Sequence, residues 1–229
     1  CAEELRVGGV DIIAEQMPLR TRAYWLEVKK RCTDLCLTIV SLSPGNNFGR
    51  PTARARQREV DAVTRWIEAA AIMGAPLLRI FAGWPPEGQA KVLWPAMVQC
   101  IRQVAKTAAS AGVTLAVEPH NAGGFLPDSR TTLRLIRELH SPWVRINLDT
   151  GNYHEPDPYA GLEASLPFAP HVVAKIHRQT LDYEKIFAML ARHHYRGFVT
   201  LEYEGARDER RGVPAALAML RRAGRRHGL

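Results

Sequence analysis

Val113–Asn121, V-T-L-A-V-E-P-H-N, is the stretch whose reading decides the fold. Strand side chains alternate, so Thr114, Ala116 and Glu118 share one face while Val113, Leu115 and Val117 share the other. Gly112 turns the chain into this run and Pro119 stops it just past the acid. The stretch therefore reads as a buried strand that ends by presenting Glu118. A carboxylate at the carboxyl end of a hydrophobic strand is where α/β folds place chemistry.

The same unit recurs on both sides of it. Gly9–Glu15, Leu37–Ser43 and Pro76–Gly83 read as strands before it, and Val144–Leu148, His171–His177 and Phe198–Gly205 as strands after it. Between them lie helical stretches: Thr21–Asp34, a stripe of Val60, Val63, Ile67 and Ala71, and Lys91–Ala111. Further on, a helix capped by Asp128 carries Leu133, Ile136 and Leu139, and another carries Tyr183, Ile186, Phe187 and Leu190. The last helix carries Val213, Ala216, Leu217 and Leu220. Strict strand–helix alternation means right-handed crossovers and a parallel sheet. Seven strands and a fragment of helix at Cys1–Arg6 imply that one strand precedes the chain. The expectation is a single (β/α)8 TIM-barrel domain over residues 1–229, with parallel strands, outer helices and the first strand missing. An open doubly wound sheet is the alternative, weakened by the lack of a G-x-G-x-x-G first turn.

Composition narrows the function classes. A chain of 229 residues, 46% hydrophobic and 24% charged, is long enough for one large α/β domain. No apolar run approaches the length of a membrane span, so none is expected. The chain lacks an initiator Met and a charged-then-apolar leader, which favours a missing start over a removed segment. The net charge of +8 raises nucleic acid as a partner, but the Arg residues are scattered. Only Arg221–Arg226 makes a dense run, read as a solvated basic tail, and no nucleic acid is expected. Cys1, Cys32, Cys36 and Cys100 match no zinc spacing and make no disulfide scaffold, which points to a reducing cytoplasm.

In a barrel the strand ends ring one mouth, and successive ends here are Glu118, Asp149, His177 and Glu202. Three carboxylates and an imidazole converging on one point suit a divalent cation of the magnesium, manganese or cobalt kind. Arg145 and Asn147 share a face with Asp149, which supports its inward direction. Each residue alone has a plainer role. An acid ending a strand more often caps a helix or pairs in a salt bridge, and Asp149 before Thr150-Gly151-Asn152 is placed for an Asx turn. Glu204 rivals Glu202 on the same face. Four such residues at consecutive strand ends nevertheless favour a joint metal site.

The order of Glu118-Pro119-His120-Asn121, Asp149-Thr150-Gly151-Asn152 and Tyr195–Gly205 resembles the sugar phosphate isomerase/epimerase superfamily, the xylose-isomerase-like TIM barrels, over nearly the whole chain. The resemblance implies a divalent metal (Mn, Mg, Co or Zn) bound by Glu118, Asp149, His177 and Glu202. Glu118 and Glu202 then serve both as ligands and as the catalytic acid/base pair. The chain departs from the family at Lys175-Ile176-His177-Arg178-Gln179, where a His-φ-Lys-Asp ending is usual, and at Asn152, where many relatives carry a second His. The implied function is a metal-dependent sugar or sugar phosphate isomerase/epimerase of carbohydrate metabolism, working through an enediolate.

Other residues of the expected mouth are candidates for substrate binding. His120 follows Glu118 closely, and Asn152 can hydrogen-bond a hydroxyl. Arg79 and Trp84 suit a sugar or its phosphate through bidentate and stacking contacts, with an internal salt bridge and core packing as their plainer roles. Lys175 shares a face with His177 and suits an anionic group, and Glu204 stands beside Glu202. No glycine-rich phosphate cradle appears. Three alternatives stay open on the same barrel: polyol dehydration, phosphodiester cleavage as in apurinic endonucleases, and non-catalytic sugar binding. The nuclease reading wants extra histidines, and Ile13, Ser41 and Phe81 on the earlier strands offer none. A barrel short of one strand has two open edges, which favour self-association.

Overall fold

The computed structural model of the chain describes residues 2–120, 123–177 and 181–229. Cys1, Asn121, Arg178 and Gln179, named above, lie outside the described residues. In chain order the elements are α1 (Ala2–Leu5), β1 (Gly9–Ile13), α2 (Arg22–Asp34), β2 (Thr38–Ser43), α3 (Ala53–Met73), β3 (Leu77–Phe81), α4 (Ala90–Ala111) and β4 (Thr114–Glu118). There follow α5 (Ser129–Leu139), β5 (Val144–Asp149), α6 (Pro158–Ser165), β6 (His171–Ile176), α7 (Tyr183–Arg192), β7 (Phe198–Tyr203) and α8 (Glu209–Arg226).

The seven strands pair in sequence order, each parallel to the next, in a TIM barrel that is nearly closed. Among the described residues no ladder joins β7 back to β1. A cleft of about 760 Å³ opens there instead, lined by Val10, Phe198, Leu217 and Leu220. It marks the place where one more strand would complete the ring.

Alternation along the strands sorts two layers. Val40, Leu42, Leu78, Ile80, Leu115, Val117, Ile146 and Leu148 are buried. Their strand face is opposite to that of Glu118 and Asp149, so they pack outward against helices. Each such side chain contributes about 1.5–3 kcal/mol by leaving water. Val60, Val63 and Ile67 of α3 meet this layer, although the stripe continues through Ala70 and Met73 while Ala71 is exposed.

Several boundaries differ from the sequence expectation. The first strand ends at Ile13, and Ala14–Gln16 turn as a 3-10 helix, which lets Glu15 Oε1 accept from Gly45 N at 2.6 Å. The sixth ends at Ile176, leaving His177 just beyond it. The basic run is not a loose tail. It forms the end of α8, where Arg221 donates to the carbonyls of Leu5 and Arg6 and Arg226 pairs with Glu184. Helix caps follow the sequence: Thr21, Thr52 and Asp128 each accept from a backbone N–H of the first turn. Cys32, Cys36 and Cys100 are free thiols. No helix among the described residues is long and apolar enough to cross a membrane.

Candidate active site at the barrel mouth

Register carries the site. Phe81 pairs with Glu118 and Lys175 with Glu202, so each pair shares a level on the inner face of its own ladder. Glu118 is buried and held from three sides. Asn147 Nδ2 donates to its Oε2 at 2.7 Å, Asn152 Nδ2 to its Oε1 at 3.4 Å, and Arg79 Nε lies 3.6 Å from Oε2. Burial pushes the Glu118 carboxyl up to about 7, against the pull of Arg79 and with the charge of Glu202 adding to the rise.

Asp149 is wholly buried. Its Oδ1 accepts from Gly151 N at 2.7 Å, the Asx turn expected from Asp-Thr-Gly. Its Oδ2 has no hydrogen-bond partner among the described residues, and Lys175 Nζ stands 3.6 Å away. Burial and the charge of Glu118 hold the Asp149 carboxyl well above the usual carboxylate range.

Lys175 is the other anchor. Its Nζ lies 3.1 Å from Glu202 Oε1 and 3.2 Å from Glu204 Oε1. Burial alone would lower its pKa, but the charges of Asp149 and Glu202 outweigh that and raise it. Its backbone is fixed by a small network. Lys175 N donates to Thr150 Oγ1 at 3.1 Å and Tyr183 Oη donates to Lys175 O at 3.0 Å. Tyr183 has one proton, so Thr150 is left to donate to Tyr183 Oη at 2.8 Å. Glu204 is brought to the rim by its N–H, which donates to Ile176 O at 2.7 Å.

His177 lies against the turn after β5, where a Cβ on Gly151 would stand 3.1 Å from His177 Nε2 and 2.9 Å from Lys175 Cδ. Any side chain larger than glycine's would push both away. Among the described residues no three His, Cys, Asp or Glu side chains converge closely enough to hold an ion. Glu118, Asp149, His177 and Glu202 thus do not form the converging set expected of them, and the Lys175 ammonium group stands between Asp149 and Glu202.

Arg79 and Trp84 take the plainer roles foreseen for them, an internal ion pair and ring packing. The Arg79 guanidinium stacks over the Phe81 ring at 4.1 Å and faces Glu118, an internal ion pair. Phe81, Trp84 and His120 pack their rings 5.0–5.2 Å apart, His120 edge-on to both. Trp84 and His120 remain partly exposed, so they make an aromatic wall beside Glu118.

The sequence reading missed the residues that aim this wall. Asn46 pairs with the Phe81 backbone, donating to its O and accepting from its N, both at 2.8 Å. Asn47 Oδ1 accepts from Gly49 N and Trp84 N, both at 2.8 Å. Gly83, at φ +104°, is required where this clasp crosses, since a Cβ would stand 2.7 Å from Phe48 N. Asp11 and Ser43, hydrogen-bonded at 2.7 Å, complete the inner face on β1 and β2. An acid inside the apolar run Gly9–Ile13 is the signal that points to Asp11.

Comparison with known proteins places this geometry. Among curated proteins none is significantly similar in sequence. In structure the chain is similar to D-psicose 3-epimerase from Clostridium cellulolyticum H10, at TM-score 0.83 and 20% identity over 96% of this chain and 90% of that one. It is also similar to 3-keto-D-glucoside 4-epimerase from E. coli, at 0.78 and 22% over 88% and 85%. A third is the probable 3-DHS dehydratase from Bacillus anthracis, at 0.78 and 17% over 96% and 90%. The family model of the xylose isomerase-like TIM barrel matches residues 2–223, so the chain belongs to that family.

Proposed function

We infer that the protein is a divalent-metal-dependent sugar isomerase or epimerase that moves a proton beside a carbonyl. The observation that carries this reading is the pair Glu118 and Glu202, two inner-face acids at the ends of β4 and β7. The structural likeness to two epimerases agrees with it.

The donor chemistry is that of a cation site, but no three of these side chains converge among the described residues and the Lys175 ammonium stands between Asp149 and Glu202, so the arrangement does not close on an ion. Asp149 Oδ2 is a buried acceptor without a hydrogen bond among the described residues, and the neighbouring carboxylates already gather an ammonium group. The donor set is oxygen-rich, which suits a hard metal. Glu118, Asp149, His177 and Glu202 would hold the ion, which when bound stabilises negative charge developing on a substrate oxygen. Glu118, made a stronger base by burial, takes the proton from the carbon beside the carbonyl, and Glu202 returns one to the opposite face or the adjacent carbon. Asn147 and Asn152 keep the Glu118 carboxylate turned toward the mouth. The aromatic wall of Phe81, Trp84 and His120 suits the apolar face of a sugar ring or chain.

The test is solvent deuterium exchange at the carbon beside the carbonyl, followed by proton NMR across a panel of ketoses with Mn²⁺ or Co²⁺ supplied. Glu118→Gln and Glu202→Gln, both folded, are expected to lose about 10²–10⁴-fold in rate. Undiminished exchange by Glu118→Gln would sink the assignment, and loss of water from the substrate in the same tubes would redirect it to dehydration.

A further inference from the structure

The mouth is rich in acids and short of cations that a ligand could claim. Asp11, Glu118, Asp149, Glu202 and Glu204 stand on its inner face and rim. The basic side chains that the described strands carry, Arg79, Arg145 and Lys175, are all engaged. Arg79 faces Glu118 at 3.6 Å and stacks over Phe81, and Lys175 Nζ lies 3.1 and 3.2 Å from Glu202 and Glu204. Arg145 sits at the other end of β5 and donates to the carbonyls of Ser141 and Val144. Protonation of a buried acid would remove negative charge from the mouth but create no cation in it.

Helix N-termini are the other place where a barrel holds a phosphate, through unpaired N–H groups and the helix dipole. Here those places are taken. The helices that follow the strands of Glu118, Asp149, Lys175 and Glu202 start at Asp128, Asp157, Asp182 and Asp208. Each of these carboxylates accepts from one or two first-turn N–H groups. A charge of the same sign as phosphate thus already sits at every one of these four helix starts.

We propose that the mouth takes an uncharged sugar and turns sugar phosphates away. The proposal rests on the sugar isomerase or epimerase reading above, whose substrate class it narrows, and it does not depend on a metal. Hydroxyl groups both donate and accept, so carboxylates such as Glu204 and amides such as Asn152 bind them without asking for charge in the ligand. The partly exposed rings of Trp84 and His120 offer a face to the C–H surface of the same molecule. A phosphate arriving at the rim instead meets the partly exposed carboxylates of Glu202 and Glu204. To reach Lys175 it would have to displace both, and like charges brought together reject a wrong partner.

Saturation-transfer NMR on the whole chain, with and without MgCl₂, tests this on a panel of free pentuloses and hexuloses. Each is paired with its terminal phosphate ester, as D-fructose with D-fructose 6-phosphate, and circular dichroism verifies the fold of each protein. A free ketose is expected to bind, and its ester at least about tenfold more weakly. Glu204→Gln is expected to narrow that ratio by about threefold, since it removes one rim charge and leaves Lys175 less fully paired. An ester that binds as tightly as its ketose, or a ratio that Glu204→Gln leaves unchanged, overturns the proposal. So does a folded protein that binds neither member of any pair, which takes the sugar reading with it. Binding of a free ketose in preference to its ester, without deuterium exchange beside the carbonyl, upholds the proposal and defeats the isomerase reading alone. Exchange confined to an ester does the reverse.

Discussion

Glu118 and Glu202 end strands on opposite sides of one mouth, yet their side chains are 9% and 41% exposed. The inner region, from β3 to β5, holds its acids by hydrogen bonds from fixed side chains and backbone: Asn147 and Asn152 on Glu118, Gly151 N on Asp149. The rim region, from β6 to β7, holds Glu202 and Glu204 through one ammonium group. β7 also has a strand neighbour on only one side among the described residues. The difference teaches that one mouth can hold its acids in two ways, a buried carboxylate by fixed hydrogen bonds and exposed ones by a shared ammonium group.

The sharpest break of the inner region is Arg79→Met. It leaves Glu118 buried without the guanidinium beside it, and at a pH well above 7, where the carboxylate is ionised, a broken buried pair costs about 3–5 kcal/mol. Urea unfolding of the metal-stripped protein reads this as a lower midpoint. A midpoint unchanged from wild type would mean that Glu118 is protonated at the pH of measurement and Arg79 contributes only packing.

A smaller effect follows from the raised carboxyl of Glu118. Its folded pKa of about 7 lies above the ordinary value of 4.5, so ionisation costs stability that is lost progressively as pH rises from about 4.5 to about 7. The neutral amide of Glu118→Gln escapes that loss, so the variant's melting temperature is expected to gain on the wild type across that window and then level off. Buried His171, pushed down to about 4, gives the opposite slope below 6.5 but is common to both proteins and cancels in the difference. A difference that is flat with pH would break the claim that burial dominates at Glu118.

The smallest effect is expected at the rim. Glu204→Gln removes one of three acids from a solvated ion pair and should change unfolding stability by less than about 1 kcal/mol. A larger loss would show the rim to be as fixed as the inner region.

The strand-end acids were legible because alternation and a stop signal fix both direction and level: Glu118 before Pro119 and Asp149 in its turn needed no partner to be read. Asn147 was legible in direction through its parity with Asp149, but its bond to Glu118 depends on the packing of β4 against β5. Lys175 was legible as inward-facing and unreadable as an ion-pair hub, since its three acids come from two other strand ends. Asn46 and Asn47 gave no sign of their role in the sequence, because their partners lie 35 and 37 residues away. Local chemistry announces elements and ends, whereas side-chain-to-backbone bonds across long separations have no local signature.

That clasp has a consequence for anyone who would reshape the mouth. The loop after β2 and the loop after β3 are tied by Asn46 to Phe81 and by Asn47 to Trp84, with Gly83 fitted beneath. They amount to a single heritable module. Grafting one of them from a relative without the other would strand Asn47 and turn Trp84 loose, so substrate preference in this barrel is expected to be exchanged in pairs of loops.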